Sequence, residues 1–492
     1  MSTTAATGFC RVTVVAPDSR IDVALPEDIA VADVYPEILR LTGQTQSPGT
    51  PTGYHLVRRD GTVLDGARSL TAQQVLDGEV LSLRPFAQSL PPAVFDDVSD
   101  AVASAVVRDR HLWSDDLLRG AGLVGGVVLL VLMGFVLWFA DPVRHDMHSL
   151  PGIIAGAAGL LLTAFAGVRA RVYADRATAV ALGLGALPLL LIAGSGIVGP
   201  DAGAGPGRLQ FLLGCVAVLI ASVTLVALTP SGDAPFVAAT FLAATGTLAT
   251  FLMIVRESSA TNTAAAVAPV AIGLVAFLPG LSARFARLPI GYAAPRSAAD
   301  DYDAETYSDP NETPEPQPVD AERIAAQARR GHEMLLGLVG GCAAVVIGCA
   351  AVLGFSDSVW GQFLALAAGL AMLLRARLFR YTSQVACTLM AGIVAIALLI
   401  LGLSLNPPAD LVKDLLMYED RGALDIRTIW LTAAVAAGAA MVTAIGLIIP
   451  RKGLSPFWGR LLDLTEGAVL LSLVPLCLAV LDVYNAARSL TS

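Results

Sequence analysis

The sequence predicts a multi-pass α-helical membrane protein carrying a small α+β domain in front of its spans. Three observations predict it. Of 492 residues, 55% are hydrophobic and only 15% are charged, a composition foreign to soluble globular chains. Roughly eleven apolar runs are long enough to cross a bilayer, beginning with GLVGGVVLLVLMGFVLWFA within residues 120–140. The residues before that run alternate and turn as short strands do.

The totals also exclude. This composition argues against a large aqueous enzyme, and a formal net charge of −9 argues against nucleic acid as a partner. The six cysteines, Cys10, Cys215, Cys342, Cys349, Cys387 and Cys477, form no CxxC pair, and five sit in apolar runs as small hydrophobes. MSTTAATGF has neither a basic n-region nor an apolar h-region, so a transmembrane helix is expected to lead insertion in place of a cleaved signal peptide.

In the first domain, CRVTVVA and RIDVAL flank the turn Pro17-Asp18-Ser19 as a hairpin. Val31, Val34, Ile38 and Leu41 then recur at helical spacing, and Gly43 ends that helix. YHLVRR turns at Asp60-Gly61 into a short strand TVLD, SLTAQQVL is a short helical piece, and Asp77-Gly78 turns into EVLSLRP. Strand, strand, helix, strand, short strand, strand is the order of a ubiquitin-like β-grasp fold, expected over residues 1–88. Arg84-Pro85-Phe86 stands where a Gly-Gly tail would follow, so conjugation is disfavoured; docking a partner or capping the membrane part remain. Residues 89–117 read as a linker with an amphipathic repeat at Val94, Val98, Val102 and Val106.

Spans are expected near 120–140, 151–168, 177–198, 209–228, 236–255, 263–283, 334–355, 358–374, 382–404, 428–449 and 461–483. They make two blocks, 118–283 with six and 334–492 with five, separated by an acidic, Pro-rich loop, 284–333. Basic residues gather on alternate loops, at Arg169 and Arg171, then Arg284 and Arg287, then Arg375, Arg377 and Arg380. The positive-inside rule therefore puts the N-terminus in the cytoplasm and the C-terminus outside. Arg169, Arg171, Arg375, Arg377 and Arg380 are also candidates for headgroup or partner contacts. Outside, 409–420 reads as a short amphipathic helix with Leu411, Leu415 and Leu416 on one side.

An internal, parallel repeat is expected from three matches in order. Gly122 to Gly126 recurs as Gly337 to Gly341, Arg169-Ala170-Arg171 as Arg375-Ala376-Arg377, and Pro235-Phe236 as Pro456-Phe457. Both glycine copies carry GxxxG, so Gly122, Gly126, Gly337 and Gly341 are helix-packing candidates.

Chemistry is sparse. The span centres lack Asp, Glu, Lys, Arg and His, whereas an ion or proton carrier needs buried ionisable groups there. The loop DPVRHDMH offers His145, Asp146 and His148, but its spacing matches no metal frame and a solvated loop is the reading kept. No phosphate-binding, nucleophile-elbow or zinc-protease motif occurs, so no catalytic residue, cofactor or metal is assigned.

The β-grasp stretch CRVTVVAPDSRIDVALPEDIAVADVYPEIL through LTAQQVLDGEVLSLRP, followed by this span pattern, resembles the EccD family, the polytopic component of type VII (ESX) secretion. The resemblance covers the whole chain. It implies a non-catalytic scaffold of the inner membrane, forming a homodimer around a lipid- or partner-filled enclosure and assembled with EccB, EccE and the ATPase EccC. The alternative is a secondary transporter with a regulatory β-grasp domain, which would need a polar cavity between the two halves.

Overall fold

The computed structural model of the protein describes residues 8–16, 19–43, 53–85, 114–200, 205–229, 233–286, 321–452 and 455–489, with 321–324 and 448–452 as backbone alone. The chain divides into two compact units, Met1–Trp113 and Ser114–Ser492. The amphipathic repeat at Val94 to Val106 and the acidic part of the 284–333 loop lie outside the described residues.

In the first unit, β1 (Phe9–Val15) and β2 (Arg20–Pro26) form the expected hairpin, with Val12 opposite Val23. Helix α1 (Val31–Leu41) follows, then β3 (Tyr54–Arg58) and β4 (Val80–Pro85). The sheet order is β2-β1-β4-β3, with β4 parallel to β1 and antiparallel to β3. A parallel pair cannot be closed by a tight turn, so α1 supplies much of the crossover and covers the sheet. Alternate residues Cys10, Val12 and Val14 meet Val31, Val34 and Ile38 of α1 in one core with Leu56, Leu81 and Leu83. Each large aliphatic side chain buried there contributes roughly 1.5–3 kcal/mol.

Three details differ from the sequence reading. Leu41, at the last turn of α1, is 42% exposed rather than part of the buried face. TVLD makes only an isolated bridge, Val57 with Val63. The Asp65 N–H is held by Gln73 Oε1 at 2.7 Å, a side-chain partner in place of a ladder partner. SLTAQQVL shrinks to a single 3₁₀ turn, Thr71–Gln73, closed by Gln74 at φ 54°.

The second unit is helical throughout its described residues. In chain order the helices are α2 (Asp115–Trp138), α3 (Leu150–Arg171), α4 (Arg176–Ser195), α5 (Arg208–Leu228), α6 (Ala234–Val255), α7 (Ala260–Val275) and α8 (Leu278–Phe285). After the loop come α9 (Ala321–Gly354), α10 (Val359–Arg375), α11 (Thr382–Leu405), α12 (Ala409–Tyr418), α13 (Gly422–Lys452), α14 (Pro456–Val480) and α15 (Val483–Ser489). Among the described residues, ten helices are long and apolar enough to cross a membrane, or eleven if the bent pair α7 and α8 is one span.

That pair bends by 66°, a break the hydropathy pattern conceals. Pro279 at the start of α8 has no N–H to give the Val275 carbonyl, so the helix stops and restarts. Elsewhere polar caps set the starts. Ser114 accepts from the Leu117 N–H, Asp175 from Thr178, Ser259 from Asn262 and Ser358 from Gly361. Inside the spans, Thr163, Thr240, Thr247, Thr250 and Thr388 donate to carbonyls four residues back, satisfying their hydroxyls within their own helix.

Helix α9 is the hub. It packs against α6, α7 and α8 of the first block and α10 and α11 of the second, and Val339, Cys342, Val346 and Leu353 are buried in the resulting core. By contrast, no part of the most apolar window of α13 is buried within the chain. On α12 the half-buried residues are Leu411, Val412 and Leu415, whereas Leu416 is 75% exposed, so the face is rotated from the expected one.

Candidate functional site: a polar collar and two glycine faces

The described spans place their charged side chains at helix ends, and many of these meet on one membrane face. Asp175, between α3 and α4, accepts from Arg119 Nη2 at 2.6 Å and has Arg169 Nη1 at 3.8 Å. The Thr178 hydroxyl, followed by the Thr178 N–H and the Arg119 and Arg169 charges, holds the Asp175 carboxyl below the usual carboxylate range. Arg171 Nη2 donates to the Ala227 carbonyl at 2.6 Å, fastening α3 to the end of α5.

Helix α9 enters this collar through about one turn of polar contacts, Arg330 to Glu333. Arg330 Nη1 lies 2.6 Å from Asp233 Oδ2, and Asp233 is fully buried. Glu333 Oε1 lies 3.1 Å from Arg176 Nη2 at the start of α4. The His332 ring packs at a tilt on Tyr381, 4.3 Å between centroids, and its Nδ1 lies 3.4 Å from Gln384 Nε2 at the start of α11. One helix end is therefore tied to both blocks.

The second copy of the Arg-Ala-Arg motif is built differently. Arg377 Nη2 donates to Asp463 Oδ1 at 2.7 Å, joining α10 and α14. Arg375 is only 8% exposed, with Nε and Nη1 lacking hydrogen-bond partners. Arg380 is exposed. The structure thus gathers Arg169 and Arg171 at the α3 end and Arg375 and Arg377 at the α10 end.

The glycine copies also part company. A Cβ on Gly337 would stand 2.6 Å from the Ala234 carbonyl oxygen and 2.6 Å from Val237 Cβ, and one on Gly341 would stand 2.8 Å from Phe241 Cβ. Gly337 and Gly341 are what lets α9 and α6 approach. At Gly122 and Gly126 nothing stands within 4 Å of the added carbon, and both are exposed on α2.

On the opposite face, the histidines of the loop between α2 and α3 each meet a helix end, while Val143, Arg144 and His148 stay exposed. His145, at φ 49°, stacks on Trp138 with its Nδ1 3.0 Å from the Trp138 carbonyl, and His148 Nδ1 lies 2.9 Å from the Gly196 carbonyl. Each ring spends a nitrogen on a separate backbone carbonyl. Among the described residues no group of three His, Cys, Asp or Glu converges as metal ligands. The collar can hold helices and bind anions; it pairs no nucleophile with a base.

Sequence reasoning missed Asp175, Asp233, Arg330, His332 and Glu333 as partners. The Arg330 and Asp233 contact joins residues 97 positions apart, and no local pattern marks such a pair.

Comparison with known proteins follows the same division. Residues 118–490 match the family model described as the EccD-like transmembrane domain, and residues 9–83 match that of YukD, a protein of the WXG100 protein secretion system. The chain is 28% identical over 502 residues to the ESX-4 secretion system protein eccD4 of Mycobacterium tuberculosis, covering 98% of each. Among solved structures it resembles protomer 1 of the ESX-3 core complex, with TM-score 0.58 and 19% identity over 97% of this chain and 100% of the other. It also resembles a chain of the MycP5-free ESX-5 inner membrane complex, with TM-score 0.51 and 22% identity over 88% of this chain and 99% of the other. At those identities the structural likeness is one of fold.

Proposed function

The chain belongs to the EccD-like transmembrane family, and from that premise we propose that it is a non-catalytic scaffold subunit of a type VII secretion complex in the inner membrane. One observation carries the reading: a ubiquitin-like domain and an EccD-like membrane domain stand in one chain, in the order of a relative that it covers from end to end. In this role the N-terminal domain lies in the cytoplasm and docks an ATPase, EccC, while EccB and EccE complete the assembly. Two copies enclose a space within the membrane.

The geometry supports a subunit rather than a self-contained machine. The exposed Gly122 and Gly126 face and the unburied α13 offer close-approach and apolar surfaces that the described residues do not cover. The buried carboxylate Asp233, paired with Arg330, and the buried guanidinium Arg375 lie at span ends, not at mid-membrane where a carrier would use them.

The test is affinity purification of the tagged full-length protein from its native membrane in mild detergent, beside a form lacking residues 1–117, with mass determination of what co-purifies. A large assembly containing an ATPase, weakened by the truncation, is expected. A lone monomer or dimer from both forms would overturn the reading.

A further inference from the structure

The collar contains an open cavity of about 500 Å³, lined by Arg119, Arg169, Tyr173, Asp175 and Arg176 where α2 and α4 begin and α3 ends. Three guanidiniums face one carboxylate. Asp175 is already committed, accepting from Arg119 and from the Thr178 N–H, and its side chain is only 17% exposed. It holds Arg119 and Arg169 together without neutralising both. The side chains of Arg119, Arg169 and Arg176 remain 57%, 46% and 57% exposed, and a guanidinium has five N–H donors, most of them unspent here. Glu333 offsets Arg176 from the far side, leaving the group with net positive charge.

The surroundings decide what kind of anion fits. Leu117, Leu118, Val168 and Val172 are exposed apolar residues at the same helix ends, and Tyr173 at the cavity wall lies under Arg169, 5.3 Å from guanidinium carbon to ring centroid. Inward of Arg169 on the same helix, Phe165 and Val168 are exposed, so the arginines stand at the boundary between apolar surface and the helix ends, with an aromatic ring beside them, which is the chemistry of a headgroup layer.

We propose that this cavity is a binding site for an anionic phospholipid, its phosphate gripped by Arg119, Arg169 and Arg176 and its acyl chains running inward along the exposed Phe165 and Val168 of α3. Asp175 is a positioning residue that fixes the two arginines at convergent angles. The site is independent of the secretion role and stands or falls separately from it.

The experiment is native mass spectrometry of the full-length protein released from nanodiscs containing equal phosphatidylglycerol and phosphatidylcholine. The native sequence is compared with Arg119→Gln/Arg169→Gln/Arg176→Gln, with Arg169→Lys, and with Arg256→Gln on the opposite face. Retention of phosphatidylglycerol over phosphatidylcholine is expected to fall roughly fivefold per guanidinium removed, on the order of a hundredfold for the triple variant. It should survive in Arg169→Lys and Arg256→Gln. Equal retention in the native and triple-variant proteins would overturn the site, as would equal loss in Arg256→Gln. Displacement of the lipid by millimolar inorganic phosphate would assign the arginines to a soluble phosphate and overturn the lipid assignment. Selectivity that emerges only after deletion of residues 298–320 would make the chain's own acidic segment the occupant. Unchanged thermal midpoints across the variants separate loss of binding from loss of fold.

Discussion

Arg330 Nη1 lies 2.6 Å from Asp233 Oδ2, and this contact locks the N-terminal part of the hub helix α9 to the turn that opens α6. The two partners are unequally placed. Asp233 is wholly buried, with its Oδ1 lacking a hydrogen-bond partner, whereas the Arg330 side chain is 33% exposed. Removing the arginine strands a buried carboxylate, while removing the carboxylate charge leaves an arginine that can turn to water. Arg330→Ala is therefore expected to destabilise the membrane unit by about 2–4 kcal/mol and Asp233→Asn by about half as much. Thermal unfolding in detergent checks the order, and equal effects would refute the asymmetry.

The two GxxxG copies are expected to respond oppositely to the same substitution. Gly337→Ala forces a methyl against backbone and a β-branched side chain, so it should cost about 1–3 kcal/mol. Gly122→Ala meets open space and should leave the isolated chain's stability within about 0.5 kcal/mol. If the exposed face is a contact between subunits, Gly122→Leu lowers the yield of assembled complex while the monomer still folds. Size-exclusion profiles beside unfolding curves separate the two effects.

Asp175 gives the collar a pH dependence of defined sign. Its folded pKa lies below its unfolded value of about 3.9, so its stabilisation is complete above that value and is lost as pH falls through the lower, folded one. The gap in thermal midpoint between the native protein and Asp175→Asn should be constant above about pH 5 and shrink on further acidification. A gap that closed between pH 6 and 8 would assign the effect to another group.

In the N-terminal domain, the Tyr35 hydroxyl oxygen accepts the Leu56 N–H at 2.9 Å, tying α1 to β3. Burial pushes the Tyr35 pKa up, against the lowering effect of that same bond. Tyr35→Phe leaves a strand amide without its partner and is expected to cost about 1–3 kcal/mol. Hydrogen exchange on the full chain should show faster exchange at Leu56 and its neighbours, with the spans unchanged.

Much of this architecture was legible because its signals are local. Alternation in CRVTVVA and helical spacing in Val31, Val34 and Ile38 define which face is buried within a few residues of chain. The apolar runs likewise define the spans, since a bilayer demands length and apolarity together. The bend between α7 and α8 was hidden inside a run of uniform hydropathy, where only Pro279 hinted at it. The rotated face of α12 was missed because Leu416 satisfies the same spacing as Val412 and only the neighbouring helices choose between them.

The sequence by itself determined that the chain is a β-grasp domain joined to a multi-span membrane domain, and that Arg-Ala-Arg and GxxxG each occur twice. Tertiary structure alone decided that the copies differ: Gly337 and Gly341 are filled by α6 while Gly122 and Gly126 stay open, and Arg169 shares a carboxylate while Arg375 is buried with its Nε and Nη1 lacking hydrogen-bond partners. The physical reason is range. Composition and period act between residues a few positions apart, whereas the close approach of two helices and the pairing of Arg330 with Asp233 depend on which distant segments the packed bundle brings together.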